Sequence, residues 1–236
     1  MAVDNQVGIR ASRFYIPEPA LARFLFGDTR MAWFWLIVRL YVGYQWLAAG
    51  WEKLFGFSIN YDSFGQTVKG GAWVFNNHTG AAIQGFAKGA LAKSNGPFPD
   101  VSSWYAWFLQ HLILPNAGAF SYVVTFGELL VGAGLILGCL TGIAAFFGLF
   151  MNLNYIMAGT ISTNPILGIL AFFLVMAWRI AGYWGLDRWI LPLLGTPWWS
   201  GGRASSRQPQ RKVQNPYEPR DSDLGRGRNP NRPLPT

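Results

Sequence analysis

The chain has 236 residues, of which 51% are hydrophobic and 13% charged, with 28 glycines, 18 phenylalanines and 12 tryptophans. A water-soluble domain carries roughly 25% charged residues, so this composition argues against one and for helices that pack closely in a bilayer between aromatic belts. The formal net charge of +8 does not point to nucleic acid, because the basic residues gather towards the two ends instead of interleaving with aromatics on one face. Cys139 is the only cysteine; no intrachain disulfide can form, and it reads as a small core residue.

Residues 1–30 hold Arg10, Arg13, Arg23 and Arg30 and lack the apolar run and cleavage site of a signal peptide, so they read as a cytoplasmic lead. Residues 31–57 form the first expected span. Within it Arg39, Gly43, Trp46, Gly50 and Lys53 recur at steps of four, three, four and three, which places them on one inward helical face. Trp51, Glu52 and Lys53 fall near the far end, where a wet interface hydrates both charges; an anchoring role is expected for them. The connection 58–118 is long for a small membrane protein and holds no span, although 81–93 and 103–114 read as short helices, the latter dipping Trp104, Trp107 and Phe108 into the interface.

The second span, 119–140, carries Glu128 ahead of a ladder of Gly134, Gly138 and Gly142 whose steps of four suit close helix packing. The third, 141–158, carries Asn152, Asn154 and Tyr155, and the fourth, 165–184, opens on Pro165 at a first helical position and holds Arg179. Asp187, Arg188 and Trp189 mark an interface. Residues 195–236 form the expected disordered basic tail; from Gly201 on they count eight basic and three acidic residues, too polar to fold alone and suited to anionic lipid.

The expected architecture is therefore all-α: a four-helix membrane bundle over residues 31–194, with both termini cytoplasmic and loop 58–118 outside. Counting inward from the cytoplasmic ends at about 1.5 Å per residue puts Glu128 and Asn154 roughly 18 Å deep and Arg39 and Arg179 about 8–12 Å deep. An ionisable group in a membrane usually has a partner, so Glu128 is expected to meet one of the arginines or Asn154.

The segments RLYVGYQWLAAGWEKL, GELLVGAGLILGCLTGIAAFFG and NLNYIMAG, with LPNAGAF closing the long loop, resemble the DoxX/DoxD family of bacterial and archaeal four-helix membrane proteins, the long loop looking most like DoxD-type members. The resemblance covers residues 31–194. It implies a cell-membrane subunit of a redox complex, with thiosulfate:quinone oxidoreductase the best-known activity, and other membrane redox subunits as partners. Two-electron reduction of a quinone needs an apolar slot, donors at the carbonyls and a source of protons. Glu128 is the candidate proton donor, and Arg39, Tyr44, Trp46, Asn152, Asn154, Tyr155 and Arg179 are the candidate binding groups. The spans offer no histidine for haem, no cysteine cluster and no dinucleotide glycine motif, so quinone is expected as a bound substrate without haem, flavin or metal. Electrons then come straight from a bound sulfur anion or from a partner subunit. Two other readings stay open: a non-catalytic scaffold or assembly subunit of a redox or photosynthetic complex, and a small proton-coupled transporter.

Overall fold

Residues 19–196 are described here from a computed structural model. The expected lead up to residue 18 and the expected disordered tail from residue 197 lie outside the described residues. Among the described residues the chain is all-helical, with an isolated β-bridge between Phe57 and Thr67.

Helix α1 (Ala20–Gly27) is short and buries no residue of its own. The Trp35 indole donates to the Leu25 carbonyl at 2.8 Å, and Phe26 stacks between Trp35 and Phe173, which ties α1 to the longer helices behind it. Helix α2 (Ala32–Phe55) ends at Gly56, whose left-handed backbone (φ 77°) lets its N–H close on the Glu52 carbonyl. Its buried residues include Arg39, Gly43, Trp46 and Gly50, four of the five positions on the face read from the sequence.

Loop 56–116 folds into a cap. Helix α3 (Ala81–Ala92) and helix α4 (Ser103–Phe108), which widens into a π-helical turn at Leu109–Ile113, bury Ile83, Ala87, Tyr105 and Leu109 against Ala117 and Ala158. Trp104 and Trp107 stay about 60% exposed, and the residues of this segment that turn inward are Tyr105, Leu109 and Ile113.

Helix α5 (Ala117–Leu137) runs antiparallel to α2. Gly43 lies against Leu135 and Ile136, Gly132 against the Leu47 backbone, and Gly50 against Leu129, so seven residues forward on α2 match seven residues back on α5. A methyl group at Gly50 would meet the Leu129 nitrogen at 2.8 Å. Backbones this close require glycine at the crossing. The ladder expected at Gly134, Gly138 and Gly142 is split among three neighbours instead: Gly134 faces Ala144, Gly138 forms the left-handed end of α5, and Gly142 faces Trp178. The close crossing of α2 and α5 belongs to Gly43, Gly50 and Gly132.

Helix α6 (Thr141–Met157) returns along α5 and packs on α7 (Asn164–Met176), which has Pro165 in its first turn. A break at Ala177 separates α7 from the single turn α8 (Trp178–Ala181), and α9 (Asp187–Leu193) follows. Among the described residues, α5 is the helix both long and apolar enough to cross a membrane by itself; α6 and α7 are apolar but only 17 and 13 residues long. The outward faces are strongly apolar, with Leu130, Ile143, Phe150 and Ile169 each more than half exposed. Contiguous exposed apolar area on this scale is a liability in water and a match for lipid.

Candidate functional site

Glu128 lies on the buried face of α5 with Ser121, Thr125 and Leu135, and it is 1% exposed. A bare carboxylate there would be costly, and the fold supplies two partners. Lys53 of α2 places its Nζ 2.6 Å from Glu128 Oε2, and the Tyr155 hydroxyl of α6 donates to Oε1 at 2.7 Å. Three helices thus converge on one carboxyl group.

Aromatic side chains enclose it. The Lys53 ammonium sits 4.9 Å from the centre of the Trp73 ring, and the Trp73 backbone N–H donates back to the Lys53 backbone carbonyl. Phe86 of the cap meets Tyr155 edge-on at 5.9 Å, and Trp46 stacks on it from the bundle side at 6.5 Å. The lysine side chain is 16% exposed and the glutamate 1%, so the cluster reaches the outside along its lysine while its anion is sealed. Removing one member of a buried ion pair typically costs about 3–5 kcal/mol, which makes this cluster a structural element whatever else it does.

The expected arginine partners of Glu128 are elsewhere. Arg39 stands fourteen residues before Lys53 on α2, about 21 Å along the helix. Its Nη2 donates to the Trp184 carbonyl at 3.2 Å, and its guanidinium lies against Gly138 and Gly185, in the field of Asp187. Arg179 is exposed on α8 and lies over Trp178. The error lies in treating helix ends as level. The glycine register sets the end of α5 beside Gly43, so the first turns of α2 overhang it, and Glu128 meets the far third of α2 rather than its middle. Lys53, assigned to anchoring, is the true partner. The signal for it was present in the inward ladder that ends on Lys53.

Asp187 also differs from its expected place at an interface. It is fully buried and accepts the N–H groups of Leu140 at 2.6 Å and Thr141 at 2.8 Å, capping α6 from 46 residues downstream. Its own N–H donates to the Gly138 carbonyl at 2.7 Å.

The remaining candidates divide. Trp46, Tyr155 and Glu128 come together with Lys53, and Asn152 lies one turn from Tyr155 on the same face of α6. Asn152 is completely buried, and neither its amide nitrogen nor its oxygen has a protein partner. Asn154 instead fastens the cap: its carbonyl and side-chain oxygens accept the Tyr105 hydroxyl at 2.9 and 3.3 Å. Burial pushes the Tyr105 hydroxyl up to about 12. Tyr44 lies on an exposed face of α2 and donates to the Ile59 carbonyl, outside the cluster. Trp73 and Phe86, both supplied by the long loop, were not anticipated.

Compared with known proteins, the DoxX family model matches residues 34–160. That stretch contains Lys53, Trp73, Phe86, Glu128 and Tyr155 and stops short of Asp187. No curated protein and no solved structure matches the chain.

Proposed function

This chain belongs to the DoxX family of membrane proteins, and on that premise we propose that it is the membrane subunit of a quinone-linked redox system, with Lys53, Glu128 and Tyr155 as its proton-handling site. The reading takes α2, α5, α6 and the α7–α8 pair as four crossings, both termini in the cytoplasm and the cap outside. The observation that carries it is a buried carboxyl group held at once by an ammonium and a phenol, walled by Trp46, Trp73 and Phe86. Flat aromatic walls suit a quinone ring, and the three side chains hold exchangeable protons where charge would develop on its oxygens.

The reaction balances as quinone plus two electrons plus two protons giving quinol. A small sulfur reductant supplies the electrons; two thiosulfate ions joining through a new S–S bond to tetrathionate release two. Tyr155 and Glu128, the latter once it has taken a proton from the aqueous side, pass the two protons to the quinone oxygens; Lys53 compensates the carboxylate that remains, and a second solvent proton restores the phenol. A positioned acid of this kind contributes about 10²–10⁴-fold to rate.

One observation favours a second reading. Both oxygens of Glu128 already have protein partners, as they would in a knot that only fixes helix register inside a scaffold subunit. The test is reduction of a short-tailed quinone by thiosulfate with the purified protein in lipid, followed by quinone absorbance, for the native chain and Glu128→Gln. The redox reading expects turnover that the amide variant loses while remaining folded. No turnover by either, with other membrane subunits co-purifying, establishes the scaffold instead.

A further inference from the structure

The face of α6 that carries Tyr155 also carries Gly148 and Asn152, at steps of four and three, and all three point into the helix packing. Gly148 lets the Trp46 indole and Val131 pack directly onto the helix backbone. A methyl group there would lie 3.0 Å from Trp46 Nε1, so the indole nitrogen of α2 reaches α6 one turn below Asn152. Trp46 is 3% exposed and Asn152 0%, and Trp46 Nε1, Asn152 Nδ2 and Asn152 Oδ1 have no hydrogen-bond partner in the protein. Three enclosed polar atoms within two turns of each other, beside a buried carboxyl group, are rare in a native fold and call for a partner.

The surroundings say what kind. Opposite Asn152 lies Gly168 of α7, whose absent side chain would stand 3.8 Å from the Asn152 Cβ, and Ala171 is a turn further on. At Gly168 a methyl-sized group fits beside Asn152 in ordinary contact, which suits a small polar ligand, whereas an acyl chain could satisfy none of these atoms. Water fits the inventory. It accepts from the indole N–H or an amide hydrogen, donates to Asn152 Oδ1, and keeps a second hydrogen for the lone pair that the Tyr155 hydroxyl retains while donating to Glu128.

We infer that Trp46 and Asn152 hold internal water inside the helix packing, and that this water reprotonates Glu128 through Tyr155. As a proton from the aqueous phase reaches this water, the water gives a hydrogen to Tyr155 Oη and the phenol passes its own to Glu128 Oε1; water and phenol end as they began, and the net result is one solvent proton delivered to the carboxylate. The proton-path half of the inference rests on the redox reading above, while the water site does not. Asn152 acts here as a positioning residue.

The experiment uses the full chain in lipid nanodiscs with its 12 tryptophans labelled at the indole nitrogen. The Trp46 signal is assigned by its loss in Trp46→Phe, and transfer of magnetisation from water to each indole N–H is measured. The expected result is a water cross-peak at Trp46 that disappears in Asn152→Leu with the other indole signals unmoved, and returns in Asn152→Ser. A Trp46 indole that shows no water contact in the native protein, or keeps it in Asn152→Leu, overturns the site. Quinone turnover is then measured on the same samples. A loss of about tenfold in rate with unchanged KM in Asn152→Leu, rescued in Asn152→Ser, supports the path, and an unchanged rate overturns it. If the native chain shows no turnover at all, the redox reading and the path fall together, and the water cross-peak still decides the site.

Discussion

Two buried charge clusters lie about 21 Å apart along α2, and they are built on opposite principles. At one end Glu128 is held by side chains from two other helices, Lys53 and Tyr155, and the lysine side chain is partly exposed. At the other end Asp187 is held by backbone N–H groups of Leu140 and Thr141, while Arg39 stays 1% exposed and donates to a backbone carbonyl. A carboxylate spent on two backbone donors closes a helix end. One spent on a lysine and a phenol sits among exchangeable protons. The DoxX match covers the whole Glu128 cluster but only the Arg39 half of the other. Buried charge alone therefore does not separate the two clusters; the chemistry of their partners does.

The comparison breaks most readily at Asp187. Asp187→Ala strands two N–H groups at the start of α6 and leaves Arg39 buried without a carboxylate, so a loss of about 3–5 kcal/mol is expected, read as a fall in the midpoint of thermal unfolding in detergent. Unchanged stability would show that α6 needs no cap from α9. Next comes Gly132→Ala, which forces a methyl group onto the Leu47 backbone where α2 and α5 cross. The expected cost is about 1–3 kcal/mol. Because this crossing sets Lys53 against Glu128, a crosslink between cysteines at 53 and 128 should form more slowly in the same variant.

How far the molecule could be read in advance follows the same division. Helical content was legible because apolar runs and Gly/Pro punctuation are local signals, and the inward face of α2 was legible because its periodicity is. Register was not. It depends on which glycines meet across α2 and α5, and nothing local distinguishes Gly132, which touches a facing backbone, from Gly134 two residues on. The arginines were wrongly placed beside Glu128 for that reason. Asp187 was missed because a cap supplied from 46 residues downstream leaves no short motif, and Trp73 and Phe86 because which residues of the loop and of α3 face Glu128 is set by tertiary docking, which no local pattern encodes.

A smaller effect is expected where the cap is fastened. Tyr105→Phe removes the bonds to Asn154 at a cost of about 1 kcal/mol and should speed proteolysis within loop 56–116 without touching the Glu128 cluster. It also carries a pH signature. Because burial raises the Tyr105 hydroxyl to about 12 from its ordinary 10.0, its contribution is fully present below pH 10 and is lost as pH rises through about 12. The phenylalanine variant should therefore lose less stability than the native chain between those two values in alkaline unfolding, and equal losses would show that Tyr105 is not the group responsible.

The central claim is that the Glu128 cluster handles protons while the Asp187 cluster holds the fold. It is tested most directly by thiosulfate-driven quinone turnover in Glu128→Gln and Asp187→Asn, each normalised to the folded fraction. The expected result is a loss of at least about 100-fold per folded molecule in Glu128→Gln, beyond the fall in unfolding midpoint that loss of the ion pair brings, and near-native turnover per folded molecule in Asp187→Asn. Native turnover in Glu128→Gln, or an equal loss in both variants, would contradict it.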